Sequence, residues 1–273
     1  MYLAYWNLKE MPFENTPDPR FLYHSNQHEE ALARMFYTIK YRKGGGLLTG
    51  VFGCGKTLIA QSILNELNSE KYRYVYINNP LLGSEELLRS IVRRLKSVTL
   101  PDKKSDFSAD YFLEILEKIL HDYSREGKEV AIIIDEAHII EDAKVFEELR
   151  LLLNFQLQDK FLLTLLIFGQ PELIPKINDY KPLEQRISIK CHLKSLDLES
   201  TQGYITHRLS VAGRNTPIFT QEAMAVIYEY SGGVPRRINR LCDICLLAGF
   251  GRRVELVQED IVQEEIKGLN ITQ

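Results

Sequence analysis

Residues Gly50-Val51-Phe52-Gly53-Cys54-Gly55-Lys56-Thr57 constrain this chain more than any other stretch. They satisfy the phosphate-loop pattern G-x-x-x-x-G-K-[ST] with the flanks that pattern requires. The apolar run 46–49 before them suits a buried strand. Lys56 to Asn68 after them carries Leu58, Ile59, Ile63, Leu64 and Leu67 at helical spacing. Strand, glycine loop and helix in that order point the helix's first amides into the loop, where they hold phosphate oxygens. Gly50, Gly53 and Gly55 let the backbone of the loop, Cys54 included, curl around an anion. Lys56 is expected to reach the β- and γ-phosphates and the Thr57 hydroxyl to bind Mg²⁺, so ATP and Mg²⁺ are the expected cofactors.

The chain has 273 residues, room for one large domain or two modest ones, and is 45% hydrophobic and 26% charged, as soluble globular proteins are. A net charge of −3 gives no global pull toward nucleic acid. No run approaches the ~18 apolar residues of a membrane span, and the first residues lack a signal peptide's basic leader and apolar stretch. The expected location is cytoplasmic, or peripheral at the inner membrane through a partner. Four cysteines make no disulfide framework in such a compartment. Cys242 and Cys245 have C-x-x-C spacing, but no second pair completes a zinc site, and they read as small buried residues on an apolar helix face. Cys54 differs: at a helix N-terminus beside a lysine its thiol is expected to be acidified, so that oxidation would block phosphate binding.

Prolines at 12, 17 and 19 argue against regular structure in the first 25 residues, which read as an ordered arm anchored by Trp6, Phe13, Phe21 and Tyr23. Helices are expected over 26–41, 84–98, 109–124, 141–158 and 171–179, with the polar stretch Pro101 to Ser108 separating the second and third. Strands are expected at 72–77, 129–134, 161–168 and 187–192. Beyond about residue 194 only helices are expected, at 197–211, 220–230, 235–249 and 258–267. Thr220 reads as an N-cap, with Phe219 and Met224 as a hydrophobic staple. The fold class is therefore α/β, a parallel five-stranded sheet sandwiched by helices, followed by an all-helical lid. The expected divisions are an arm and helix over 1–40, a nucleotide-binding domain over 41–193 and the lid over 194–273.

The run Glu129 to Ile134 is continuously apolar after its first residue, suits a central parallel strand, and ends in Asp135 and Glu136. A carboxylate at the tip of such a strand is where the Mg²⁺-organising aspartate of phosphate-loop folds sits; Asp135 fits that position. Glu136 is then placed to polarise the attacking water as general base. The alternative reading of Asp135 is a plain N-cap. Asp135 to His138 also spells a helicase motif, which nothing else in the chain supports.

At this point the chain resembles the AAA+ ATPases, and within them the ExeA/GspA-like group of secretion and pilus-biogenesis ATPases. The resemblance is carried by Trp6-Asn7-Leu8 with Pro12-Phe13, Pro17 to Phe21, the phosphate loop, Ile134 to His138, Phe168 to Leu173, Leu183 with Gln185 to Ile187, and Gly232 to Asn239. It implies an AAA+ core with a helical lid and assigns roles that spacing alone cannot. Gln170 matches sensor 1, which contacts the γ-phosphate or the water. Arg186 matches the arginine finger, which reaches a neighbouring subunit's nucleotide and is worth roughly 10³–10⁵ in rate in related systems. Arg236 matches sensor 2, with Arg237 and Arg240 close enough to compete for the assignment. Asn79 matches a polar switch that holds the glutamate idle. A homo-oligomer, ring or filament with six subunits as the family expectation, is implied, as is a client protein in an envelope or secretion apparatus. The membrane span and envelope-binding domain of many relatives are not matched within the 273 residues.

The same architecture is similar to the TniB/TnsC transposition regulators. That gives the alternative function, an ATP-dependent DNA-binding regulator, for which Arg236, Arg237, Arg240, Arg252 and Arg253 form the best basic cluster.

Overall fold

The computed structural model describes residues 2–96, 108–158 and 160–271. In chain order the helices are α1 (Tyr2–Tyr5), α2 (Asn26–Lys40), α3 (Lys56–Glu66), α4 (Ser84–Leu95), α5 (Ala109–Arg125), α6 (Ala143–Leu152), α7 (Leu173–Asp179), α8 (Lys181–Glu184), α9 (Leu198–Val211), α10 (Gln221–Ser231), α11 (Pro235–Arg252) and α12 (Glu259–Ile271). The strands are β1 (Gly45–Gly50), β2 (Tyr72–Ile77), β3 (Glu129–Ile134), β4 (Gln156–Leu157), β5 (Lys160–Phe161), β6 (Leu163–Gly169) and β7 (Ile187–Leu193). Contacts divide the chain into a unit of residues 29–50 and 59–193 and a unit of residues 1–28, 51–58 and 194–273.

The first unit is built on a five-stranded sheet of order β2-β3-β6-β1-β7. Every neighbouring pair is parallel. Burial follows position in the sheet. The interior strand β6 is buried at every residue, and β3 at every residue after Glu129, because helices cover both faces. The edge strands are less covered: β2 is buried only at Val75 and Ile77, and β7 keeps Ser188, Lys190 and His192 exposed between buried Ile187 and Leu193. Leu87, Leu88 and Ile91 of α4 and Leu116 of α5 pack with Ile132 and Ile134 of β3 and Leu165 of β6 in one core.

Two expectations are corrected here. The helix expected over 141–158 ends at Leu152, and the chain then makes a small antiparallel hairpin, β4 with β5, pairing Gln156 with Phe161 and Leu157 with Lys160. Phe161 therefore belongs to the hairpin, and β6 begins at Leu163. The helix stops because its last carbonyls are closed by tight turn bonds, Leu153 N to Arg150 O and Asn154 N to Leu151 O, while Arg186 Nη1 binds the Leu153 carbonyl at 2.8 Å. Residues 97 and 98 of the expected 84–98 helix, and the polar stretch from Pro101 as far as Phe107, lie outside the described residues.

In the second unit α9 to α12 enclose a core with Ile227, Ile238, Leu241 and Val262 at full burial. Thr220 caps α10, its hydroxyl accepting from Ala223 N at 3.2 Å, with Phe219 and Met224 buried in the same core. Cys242 and Cys245 are free and buried on α11, and burial pushes the Cys245 thiol up to about 12. Among the described residues no cluster of three or more metal-ligating side chains occurs.

The arm packs into this same core, and it is more regular than the prolines suggest: it opens with α1 and makes a 3-10 turn at Pro19–Phe21. Trp6 is 2% exposed and donates its indole N–H to the Leu246 carbonyl at 2.9 Å. Arg208 of α9 donates to the carbonyls of Pro12 and, at 2.8 Å, Glu14. Trp6→Ala is expected to cost about 3–5 kcal/mol, the range for emptying a large aromatic site. Urea denaturation reads it, and a loss below about 1 kcal/mol would mean the arm is not part of this core.

Candidate functional site

The sheet directs chemistry to one edge. Because β1, β3 and β6 run parallel, their last residues lie at the same end of the sheet, and Gly50, Asp135 and Gln170 stand at or just past those ends. From Gly50 the chain continues directly into the loop 51–55 and α3.

The loop has the backbone of an anion cradle. Gly53 and Gly55 adopt φ of +82° and +100°, which L side chains rarely adopt. A Cβ at Gly53 would stand 2.6 Å from Cβ of Arg236. Lys56 is 4% exposed and donates Nζ–H to the Val51 carbonyl at 3.1 Å, so its ammonium is held over the loop it belongs to. These features fit a phosphate group at the N-terminus of α3.

Two further residues hold the loop. Arg236, at the second position of α11, donates its backbone N–H to the Gly53 carbonyl at 3.3 Å, and its guanidinium lies 4.6 Å from the Phe52 ring centroid. Of the competing arginines, Arg236 is thus the one set against the loop. His28 is buried between Ser25 Oγ, 2.7 Å from Nδ1, and the Cys54 carbonyl, 3.0 Å from Nε2. Burial lowers its pKa, which keeps the ring neutral, with Nε2–H donating to Cys54 and Nδ1 accepting from Ser25. Nothing in the sequence pattern pointed to His28. Cys54 is 0% exposed, so the expectation of an oxidisable thiol is corrected: the side chain faces inward and presents no surface to an oxidant.

The carboxylates at the end of β3 have distinct surroundings. Asp135 is 1% exposed; Oδ1 accepts from the Glu136 amide at 2.8 Å and Oδ2 from the Tyr76 hydroxyl at 3.1 Å. Burial, then the Asp135 charge, raises the Tyr76 pKa, so the phenol stays protonated and donates. Tyr76 was legible only as one of the aromatics of β2. Glu136 has φ +54° and ψ 31°, a left-handed conformation of the kind that clusters at functional sites when a residue other than glycine adopts it. Its carboxylate lies 3.3 Å from His138 Nδ1, and His138 Nε2 lies 2.8 Å from Gln170 Nε2. Asn79, expected as the switch beside Glu136, is exposed.

Arg186 stands elsewhere. It precedes β7, at the edge of the sheet where the strands begin. Gly45 pairs with both Ile187 and Leu165, so Leu165 to Gln170 separates that level from Gln170, about 16 Å of strand at ~3.3 Å per residue. Of the basic cluster, Arg252 is ion-paired with Glu264, and Arg253 caps α11 in a left-handed conformation.

A family model described as an AAA domain matches residues 39–177. The chain is similar to general secretion pathway protein A of Aeromonas hydrophila, 37% identical over 259 residues that cover 92% of the chain and 45% of that protein. It thus spans about half the length of that relative. Among solved structures it is similar to the Aeropyrum pernix ORC2 protein, with a TM-score of 0.66 at 17% identity over 91% of this chain and 70% of the other. It is similar also to a RuvB variant of Thermotoga maritima, with a TM-score of 0.62 at 19% identity over 96% and 74%.

Proposed function

Because this chain belongs to the AAA domain family, that of the AAA+ ATPases, we propose that it binds ATP with Mg²⁺ and hydrolyses it, and that it does so in a homo-oligomer serving a secretion, pilus or other envelope assembly. The single observation that carries the reading is the phosphate loop: two glycines at positive φ and a buried lysine folded over them, at the N-terminus of α3. Lys56 holds the β- and γ-phosphates, and Thr57 and Asp135 hold Mg²⁺, which when bound neutralises phosphate charge. Two protein ligands suffice for an ion that takes its other oxygens from phosphate and water, so a dense ligand cluster is not needed. Glu136 accepts a proton from the attacking water as the water oxygen bonds the γ-phosphorus and the bond to the bridging oxygen breaks, releasing ADP and phosphate. Gln170 and Arg236 contact the phosphates as sensors 1 and 2.

Arg186 is the finger, and it acts on a neighbour. From the strand-start edge it is farther from Asp135, Glu136 and Gln170 of its own chain than one side chain spans. The placement therefore supports action in trans and a larger assembly. The envelope role rests on the similarity to general secretion pathway protein A. Among the described residues no helix is long and apolar enough to cross a membrane. The DNA-binding alternative is less supported, since Arg236 lies against the phosphate loop and Arg252 is spent on Glu264.

The test is ATP turnover measured over a range of protein concentrations, with Mg²⁺ present or chelated. Specific activity is expected to rise with concentration, to fall by roughly 10³-fold or more in Arg186→Ala, and to vanish with ATP binding in Lys56→Ala. Constant specific activity together with a fully active Arg186→Ala would remove the trans-acting finger. Unchanged binding in Lys56→Ala would remove the nucleotide site.

A further inference from the structure

Glu136, His138 and Gln170 form a line of three side chains, of which the proposed hydrolysis uses only the two ends. Gln170 Nε2 lies 2.8 Å from His138 Nε2. His138 Nδ1 lies 3.3 Å from Glu136 Oε2, yet it is buried without a hydrogen bond. The approach is close in distance and off in angle, so a small swing of the carboxylate completes the bond.

The neighbours fix the tautomer. A neutral imidazole donates from one nitrogen and accepts at the other. With the Gln170 amide nitrogen donating to Nε2, the ring proton sits on Nδ1 and faces the Glu136 carboxylate. Turning the amide over would move that proton to Nε2 and aim the Nδ1 lone pair at the carboxylate, which is repulsive. The assigned orientation satisfies both ends.

The histidine is also held from behind. It sits in a 3-10 turn, Ala137–Ile139, whose backbone is pinned by Lys176 of α7, with Nζ donating to the carbonyls of His138 at 2.6 Å and Ile140 at 2.8 Å. The ring is therefore anchored, while the carboxylate on its left-handed backbone is the member left to move.

We propose that His138 is a positioning residue that couples Gln170 to Glu136, so that the carboxylate is aimed at water when Gln170 engages the terminal phosphate. The inference rests on the hydrolytic reading above. It gives the histidine of the Asp135–His138 run a task inside a single ATPase domain, with no helicase core required.

The experiment measures kcat at saturating ATP, the dissociation constant of a fluorescent ATP analogue, and thermal melting. The proteins are the wild type, His138→Ala, His138→Asn, Gln170→Ala and the double variant His138→Ala/Gln170→Ala. Asparagine keeps an amide donor near the place of Nδ1. His138→Ala is expected to lower kcat about 10- to 100-fold with analogue affinity within about twofold of wild type and an unchanged melt. His138→Asn is expected to recover most of kcat, and the double variant to be no slower than the slower single one. Unchanged turnover in His138→Ala overturns the proposal. So do losses that multiply in the double variant, failure of asparagine to recover kcat, or a joint loss of analogue binding and melting temperature. A wild type that binds the analogue and turns over no ATP overturns the hydrolytic reading and this one together. A wild type that turns over ATP while His138→Ala matches it overturns this one alone.

Discussion

Glu136→Gln is expected to bind ATP as tightly as the wild type and to turn it over about 10²- to 10⁴-fold more slowly, the contribution of a positioned general base. The amide keeps the volume and a polar end toward His138, 3.3 Å away, but loses the basicity that on the proposed reading takes the water's proton. Binding is spared because the phosphate cradle is made by the loop and Lys56. The Asp135 carboxylate, oriented by the Tyr76 hydroxyl and the residue-136 amide, does not change. Single-turnover hydrolysis with saturating protein separates the two effects. A variant that hydrolyses at near the wild-type rate would take the base role from Glu136, and one that no longer binds would place it in the cradle.

Gly233→Ala is expected to be the most destabilising small substitution in the helical segment. Gly233 sits between α10 and α11 at φ +70°, and an added Cβ would fall 1.8 Å from the Leu196 carbonyl oxygen. That oxygen belongs to the backbone, on a residue whose own N–H is bonded to the Gly233 carbonyl at 2.9 Å, so it has little room to give. The left-handed backbone costs ~1–2 kcal/mol for any L side chain, and the clash brings the total to about 4 kcal/mol or more. Gly232 is the internal control: φ is +60° there and nothing lies within 4 Å of an added Cβ. Gly232→Ala is expected to lose only the backbone term. Denaturation midpoints of the two variants read the difference, and equal midpoints would mean that the contact with Leu196 does not govern stability.

Where a residue's signal was local, the sequence sufficed. The strands at β2 and β3 were legible to the residue, since apolar and aromatic β-formers bounded by charged or turn residues leave little choice of ends. The cap at Thr220 was equally plain. The hairpin after Leu152 was not. Its two strands are two residues each, and the arginine that closes the preceding helix lies 33 positions downstream. The candidate site divides the same way. Gly53, Lys56, Asp135 and Glu136 announce themselves by spacing along one strand and one loop. His28, Tyr76 and the task of His138 depend on what folding brings beside them: Ser25 and the Cys54 carbonyl, Asp135, and Gln170. Cys54 is the instructive error. Proximity to a lysine in sequence pointed to a reactive thiol, but the direction in which a loop side chain faces is set by packing.

The position of Arg186 also gives an assembly a direction. Arg186 stands at the end of the sheet where the strands begin and Asp135, Glu136 and Gln170 at the other, so on the proposed reading giver and receiver are different surfaces of the same chain. On the proposed reading a two-fold pair cannot complete both of its sites through these surfaces, because a two-fold axis joins like patches. Subunits must follow one another head to tail. A closed circle then finishes every site, whereas an open row always leaves one site at one end without its arginine. Growth or closure of the row would therefore change how many sites fire, and one terminus would differ in chemistry from the other.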